Sequence, residues 1–210
     1  MTKPFQQVIT SEAELRALVG APSELALRKQ IDHINQHARD FIARSPFLLL
    51  ATSDAQGRCD VSPKGDPAGF VHVLDDKHLV IPDRPGNKRF DGLRNILANP
   101  HVGLIFLLPG KDETLRINGR AWITRDEDLL ATMEVNGKRP LAAIGVEVEE
   151  LFFHCAKAFR RSKLWTPSTW PDPSFQPSLA RVLKEQVPSC EMTEAALDKL
   201  IQDGNRNNLY

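Results

Sequence analysis

Three polar segments of this sequence hold the residue types that chemistry needs. The first is Asp60–Val61–Ser62–Pro63–Lys64–Gly65–Asp66. A strand ending in Ser–Pro–Lys–Gly offers backbone donors, a hydroxyl and an ammonium at a sheet edge, and Pro63 and Gly65 impose an unusual backbone path. Alone, the segment reads more readily as a solvated loop. The second runs Ile81–Pro82–Asp83–Arg84 and on through Gly86–Asn87–Lys88–Arg89 to Asp91. It predicts a helix starting at Lys88, where unpaired N–H groups make an anion site. Cations at a helix start oppose its dipole unless an anion compensates them. An arginine fork suits phosphate, whereas a lysine is a point charge that stays hydrated. The expectation is therefore that Arg89 holds a phosphate more strongly than Lys88, with Arg84 next. The third segment runs from His154 to Trp165 and packs Lys157, Arg160, Arg161 and Lys163 into seven residues. It reads either as a solvated helical face or as the lip of an anionic-ligand pocket.

Other chemistry is poorly supplied. Cys59, Cys155 and Cys190 are far apart and lack Cys/His ligand spacing, so neither a disulfide framework nor a metal site is expected. His154 beside Cys155 has no third orienting group, and no catalytic acid–base residue is assigned. Lys+Arg and Asp+Glu are equal at 27 each, which argues against nucleic acid as a partner. No run approaches the roughly 20 apolar residues of a membrane span. The opening stretch has no apolar signal core, and the cytoplasm is the expected location.

The elements that position these segments follow from periodicity. A first helix is capped by Ser11 with Glu14 and stopped by Gly20. A second is predicted from Ser23 to Arg44, with Leu27, Ile31, Ile34, Ala38 and Phe41 on one face. Strands are predicted at 47–52, 58–62, 69–74, 78–82, 102–107, 114–124 and 141–148. Asn118–Gly119, within 114–124, reads either as strand or as a hairpin turn. Helices are expected at 88–98, from Glu127 to about Val135, at the start of 152–165, and from Thr193 to about Ile201. Four prolines between 167 and 177 mark an extended loop. Short hairpin connections make the fold α+β, mainly β: an antiparallel barrel with flanking helices. The expected organisation is a helical extension over 1–45 packing on the barrel, a barrel over 46–166, and a Pro-rich loop with a final helix over 167–210 that belongs to the same domain.

Taken in order, these three segments resemble the FMN-binding split-barrel family related to pyridoxamine 5′-phosphate oxidase. Leu115–Arg116–Ile117–Asn118–Gly119 resembles a later barrel strand of that family. The resemblance spans roughly residues 30 to 170. It implies a split β-barrel, a homodimer with FMN at the subunit interface, and redox chemistry on a small-molecule substrate. It implies cofactor contacts from Ser62, Pro63, Lys64, Ile81, Asp83, Arg84, Asn87, Lys88, Arg89 and Arg116. Arg161, Ser162 and Trp165 would close the site, and the partner chain is one source for them. Lys64 and Arg116 are the candidates for stabilising charge on reduced flavin. The Arg-rich signature with which the oxidase recognises its vitamin substrate is missing; Asn205 to Tyr210 stand there instead. The family's haem-handling members and its reductases using the deazaflavin F420 remain alternatives.

Overall fold

Alternating burial builds the sheet. In β1 (Phe47–Ser53) Leu48, Leu50 and Thr52 are buried while their neighbours are not; β5 (His101–Leu107) repeats the pattern with Val102, Leu104 and Phe106. Period-two burial is what an antiparallel sheet over a one-sided core demands. A computed structural model describes residues 4–210, the side chain of Phe175 apart. The other strands are β2 (Cys59–Gly65), β3 (His72–Val73), β4 (His78–Asp83), β6 (Thr114–Thr124) and β7 (Ala142–His154). They form one antiparallel sheet in the order β2-β1-β5-β6-β7-β4-β3. Leu48, Leu50, Leu79, Ile81, Leu104, Phe106, Leu115, Ile117, Ile144 and Leu151 fill the core. Each such side chain contributes about 1.5–3 kcal/mol by burial.

The sheet is not closed, and the fold is a split barrel. Across the split, side chains do what a ladder would do. Lys64 at the end of β2 donates to Asp83 at the end of β4 (2.7 Å), and Arg84 donates back to Asp66 (2.6 Å). These crossed ion pairs join the edge strand to the far side of the sheet.

The chain divides into two compact units, 1–31 and 32–210. The first contains α1 (Glu12–Val19), capped by Ser11, and α2 (Glu24–Arg28), capped by Ser23; neither helix buries a residue. The second contains the sheet and six helices: α3 (Gln36–Ile42), α4 (Asp91–Ala98), α5 (Glu127–Thr132), α6 (Lys157–Ser162), α7 (Leu179–Gln186) and α8 (Glu194–Asn207). No helix of the described residues is long and apolar enough to cross a membrane.

Several local expectations change. The long helix over 23–44 is two short ones. Asn35 takes an extended backbone and accepts from Ala38 N, beginning a new helix, while Ile34 N bonds to Asp76 O. A strong cap residue therefore overrides a continuous apolar stripe. β3 shrinks to two residues because Gly69 is left-handed and Phe70 N closes a turn on Pro67 O. β2 continues through Gly65, with Pro63 opposite Leu49; an edge strand tolerates its missing N–H. Asn118 and Gly119 are consecutive residues of β6 opposite a β-bulge at Glu149 of β7, not a hairpin turn. β7 extends through His154 where a helix was expected, because Phe152 and Phe153 pair with Arg116 and Leu115 of β6. The Pro-rich stretch holds two 3-10 turns, and it is followed by α7, capped by Ser178, which the sequence reading missed.

Candidate functional site

The alternation of β2 turns Asp60, Ser62 and Lys64 inward and Val61, Pro63 and Gly65 outward. Ser62 and Lys64 thereby face a cleft of about 170 Å³, which Asp83, Arg84, Asn87, Lys88, Arg89 and the first turn of α4 complete. Pro63 borders an adjoining cavity of about 950 Å³ that shares Lys64, Arg84, Asn87 and Lys88 with the first. Sequence segments one and two thus meet at the split.

The connection from β4 to α4 departs from expectation. α4 begins at Asp91, because Lys88 and Phe90 both have φ of +60°. Such backbone is sparsely populated by residues with a Cβ and costs about 1–3 kcal/mol per residue. It turns the chain so that Lys88 and Arg89 precede the helix. Phe90, in the N-cap position, provides no side-chain cap for the first-turn amides. The two cations differ. Arg89 donates to Asp91 (2.8 Å), and that carboxylate holds the guanidinium pKa above its ordinary value. Lys88 has no ion-pair partner among the described residues. The compensating anion for the Arg89 charge is therefore already present within the chain.

Two asparagines one turn apart hold α4 in place. Asn95 Nδ2 donates to Thr52 Oγ1 (3.0 Å) and to Asp60 Oδ2 (2.8 Å), and Asn99 Nδ2 donates to Ser53 Oγ (2.9 Å). Gly92, lacking a side chain, sits beside the Thr52 and Ser62 hydroxyls. The i, i+4 spacing of Asn95 and Asn99 was a visible signal that the sequence reading did not use.

With this geometry in place, comparison identifies the lineage. A model of the pyridoxamine 5′-phosphate oxidase family matches residues 34–155, more than half of the chain. The chain belongs to the pyridoxamine 5′-phosphate oxidase family. Similar solved structures include HupZ of Group A Streptococcus, 23% identical over 57% of this chain and 93% of that chain, with a TM-score of 0.46. The haem-storage protein HutZ of Vibrio cholerae is 20% identical over 58% and 93%, with a TM-score of 0.42. An FMN-binding protein of Syntrophomonas wolfei is 12% identical over 56% and 88%, with a TM-score of 0.43. No curated protein matches the sequence significantly.

In this oxidase-family chain Ile81, Arg116, Arg161, Ser162 and Trp165 are not among the residues lining the cleft. Ile81 is fully buried in the core. Arg116 pairs with Glu150 (3.2 Å) and lies 5.1 Å from the centre of the Phe152 ring. Ser162 donates to Phe159 O, and Trp165 donates to Lys111 O while stacking on Phe159. Arg161, Ser162 and Trp165, on and just after α6, are not among the residues lining the cleft of their own chain. Arg84 lines the cleft but is spent on Asp66, on Met133 O (2.8 Å) and on the ring of Tyr210. Among the described residues no group of three metal-ligating side chains could hold a metal ion.

Proposed function

We propose that the cleft binds FMN, with the phosphate at the start of α4, and that the protein is a cytoplasmic, homodimeric FMN-dependent oxidoreductase acting on a small molecule. One observation carries the reading: Lys88, unpaired and held in a left-handed backbone, stands beside a helix N-terminus that no side chain caps. A phosphate dianion suits both features, since it accepts from first-turn amides and neutralises a free ammonium. The residues present therefore fit the phosphate. The adjoining cavity, walled by Pro63, Phe70 and Pro82, has room for a ring system. Bound flavin would supply hydride or electron transfer. The protein's part is placement: Ser62 offers a hydroxyl, Asn87 an amide, and Lys64 a positive charge fixed 2.7 Å from Asp83. The free cysteines, Cys59 and Cys155 exposed, suit a reducing compartment.

Titration of the purified protein is expected to show FMN binding at least about tenfold more tightly than riboflavin, because a charge-assisted contact is worth about 1.5–3 kcal/mol. Equal affinities would remove the phosphate from the cleft. A haem spectrum with no flavin bands after purification would replace the cofactor altogether.

A second copy is the proposed source of the cleft's remaining wall. Val61 and Trp122 stand exposed on the sheet, as does Leu141 beside the β4–α4 connection. Light scattering is expected to report a dimer. A monomer that still retains FMN would overturn this part of the reading.

A further inference from the structure

Tyr210 is held as a ligand is held. Its hydroxyl donates to Asp66 Oδ1 at 2.7 Å. The Asp66 carboxylate is 1% exposed, and its other oxygen accepts from Arg84 Nε at 2.6 Å. The Arg84 guanidinium lies 5.3 Å from the centre of the Tyr210 ring. Hydrogen bonding to the carboxylate raises the phenol pKa above its ordinary value, so the phenol keeps its proton well into alkaline conditions. Acceptor and cation together address the hydroxyl and the π face of a phenol, and nothing else of the tyrosine. Apart from these contacts, Tyr210 O accepts from Lys138 Nζ (2.8 Å).

The recognition elements do not depend on the tail that carries Tyr210. Asp66 and Arg84 hold each other across the split, and Met133 O anchors the guanidinium from the turn after α5. The tyrosine ring also stands between two cavities. It borders the 950 Å³ cavity, and it borders a second of about 450 Å³ lined by Phe90, Leu93, Pro140 and Leu141. Both cavities share Arg84, Gly86 and Lys88 with the cleft. Withdrawal of Tyr210 would uncover the Asp66 acceptor and the guanidinium face of Arg84 beside the two cavities.

We propose that the Asp66–Arg84 pair is a subsite for para-substituted phenols, filled in this structure by Tyr210 acting as a tethered ligand. The phenol hydroxyl donates to Asp66, the ring lies over Arg84, and the para substituent extends where the tyrosine joins its backbone. Assigning such phenols as substrates rests on the flavin reading of the neighbouring cleft; their binding does not. Because a tethered group has an effective concentration in the millimolar range, free phenols compete poorly until Tyr210 is removed.

Calorimetric titration with p-cresol tests this on the full chain. Tyr210→Ala is expected to bind one p-cresol per chain, at least about tenfold more tightly than the parent does. On the same variant 4-methylanisole, which cannot donate to Asp66, is expected to bind at least about tenfold more weakly than p-cresol. Tyr210→Phe keeps the ring in place and loses only the hydroxyl bond, so its p-cresol affinity should fall between those of the parent and Tyr210→Ala. Equal p-cresol affinity in parent and both variants would overturn the proposal, as would a failure of Tyr210→Ala to distinguish the two probes. Titration of FMN into the parent reports separately. Loss of FMN binding there would sink the flavin reading and leave the phenol result intact.

Discussion

FMN affinity is expected to fall roughly a hundredfold when Lys88 is replaced by Glu, since a charge-assisted contact is lost and replaced by repulsion. The ligand-free protein should melt where the parent does, because Lys88 has no ion-pair partner to lose. Lys88→Gly is the companion variant. Glycine adopts φ of +60° without strain, so the ligand-free form should be as stable as the parent or more so, while affinity still drops. Arg89→Ala should cost no more than about tenfold, the reverse of the order expected from the sequence, because Asp91 already offsets its charge. The measurement is quenching of FMN fluorescence beside thermal melting. Full affinity in Lys88→Glu would move the phosphate away from the start of α4.

Gly119→Ala is expected to be the most damaging single-methyl change in the barrel. Gly119 lies at the bulge where β6 skips a residue of β7: Asn118 faces Glu150 and Gly119 faces Val148. A Cβ built on Gly119 would stand 1.9 Å from the Glu147 carbonyl oxygen. The obstacle is backbone in the middle of a paired strand, so relief requires the β6–β7 ladder to move. The expected loss is more than about 3 kcal/mol, beyond ordinary overpacking and a large part of a domain's stability. Gly145→Ala is the control, since its added Cβ meets nothing nearer than Trp122 O at 3.9 Å. Thermal melts should separate the two; a Gly119→Ala protein that melts within a few degrees of Gly145→Ala would contradict the bulge geometry.

Part of this molecule could be read without coordinates because the signals are local. The alternation in Phe47–Ser53 and His101–Leu107 identifies strands, since side-chain period and burial coincide there. Ser11 and Thr193 cap the helices expected of them, each accepting from the amide three residues on. The segments holding Ser62 and Lys64, and Asp83, Asn87, Lys88 and Arg89, stood out as two polar interruptions of an apolar pattern, but only the family resemblance implied that they share a site; they line one cleft.

Local signals therefore locate the strands, the Ser11 and Thr193 caps and the polar segments, but not the caps at Asn35, Asp126 and Ser178. Which of the polar residues are free to act was decided only in three dimensions. Arg84 looked like a phosphate ligand until Asp66, 18 positions away, took it; Tyr210 reached Asp66 across 144 positions. Lys88 and Phe90 left the helix because the connection from β4 to α4 needed a left-handed turn that no residue type announces. Pairing between distant charges depends on distance and burial rather than on spacing along the chain. The availability of a cation is thus a property of the fold, whereas its presence is a property of the sequence.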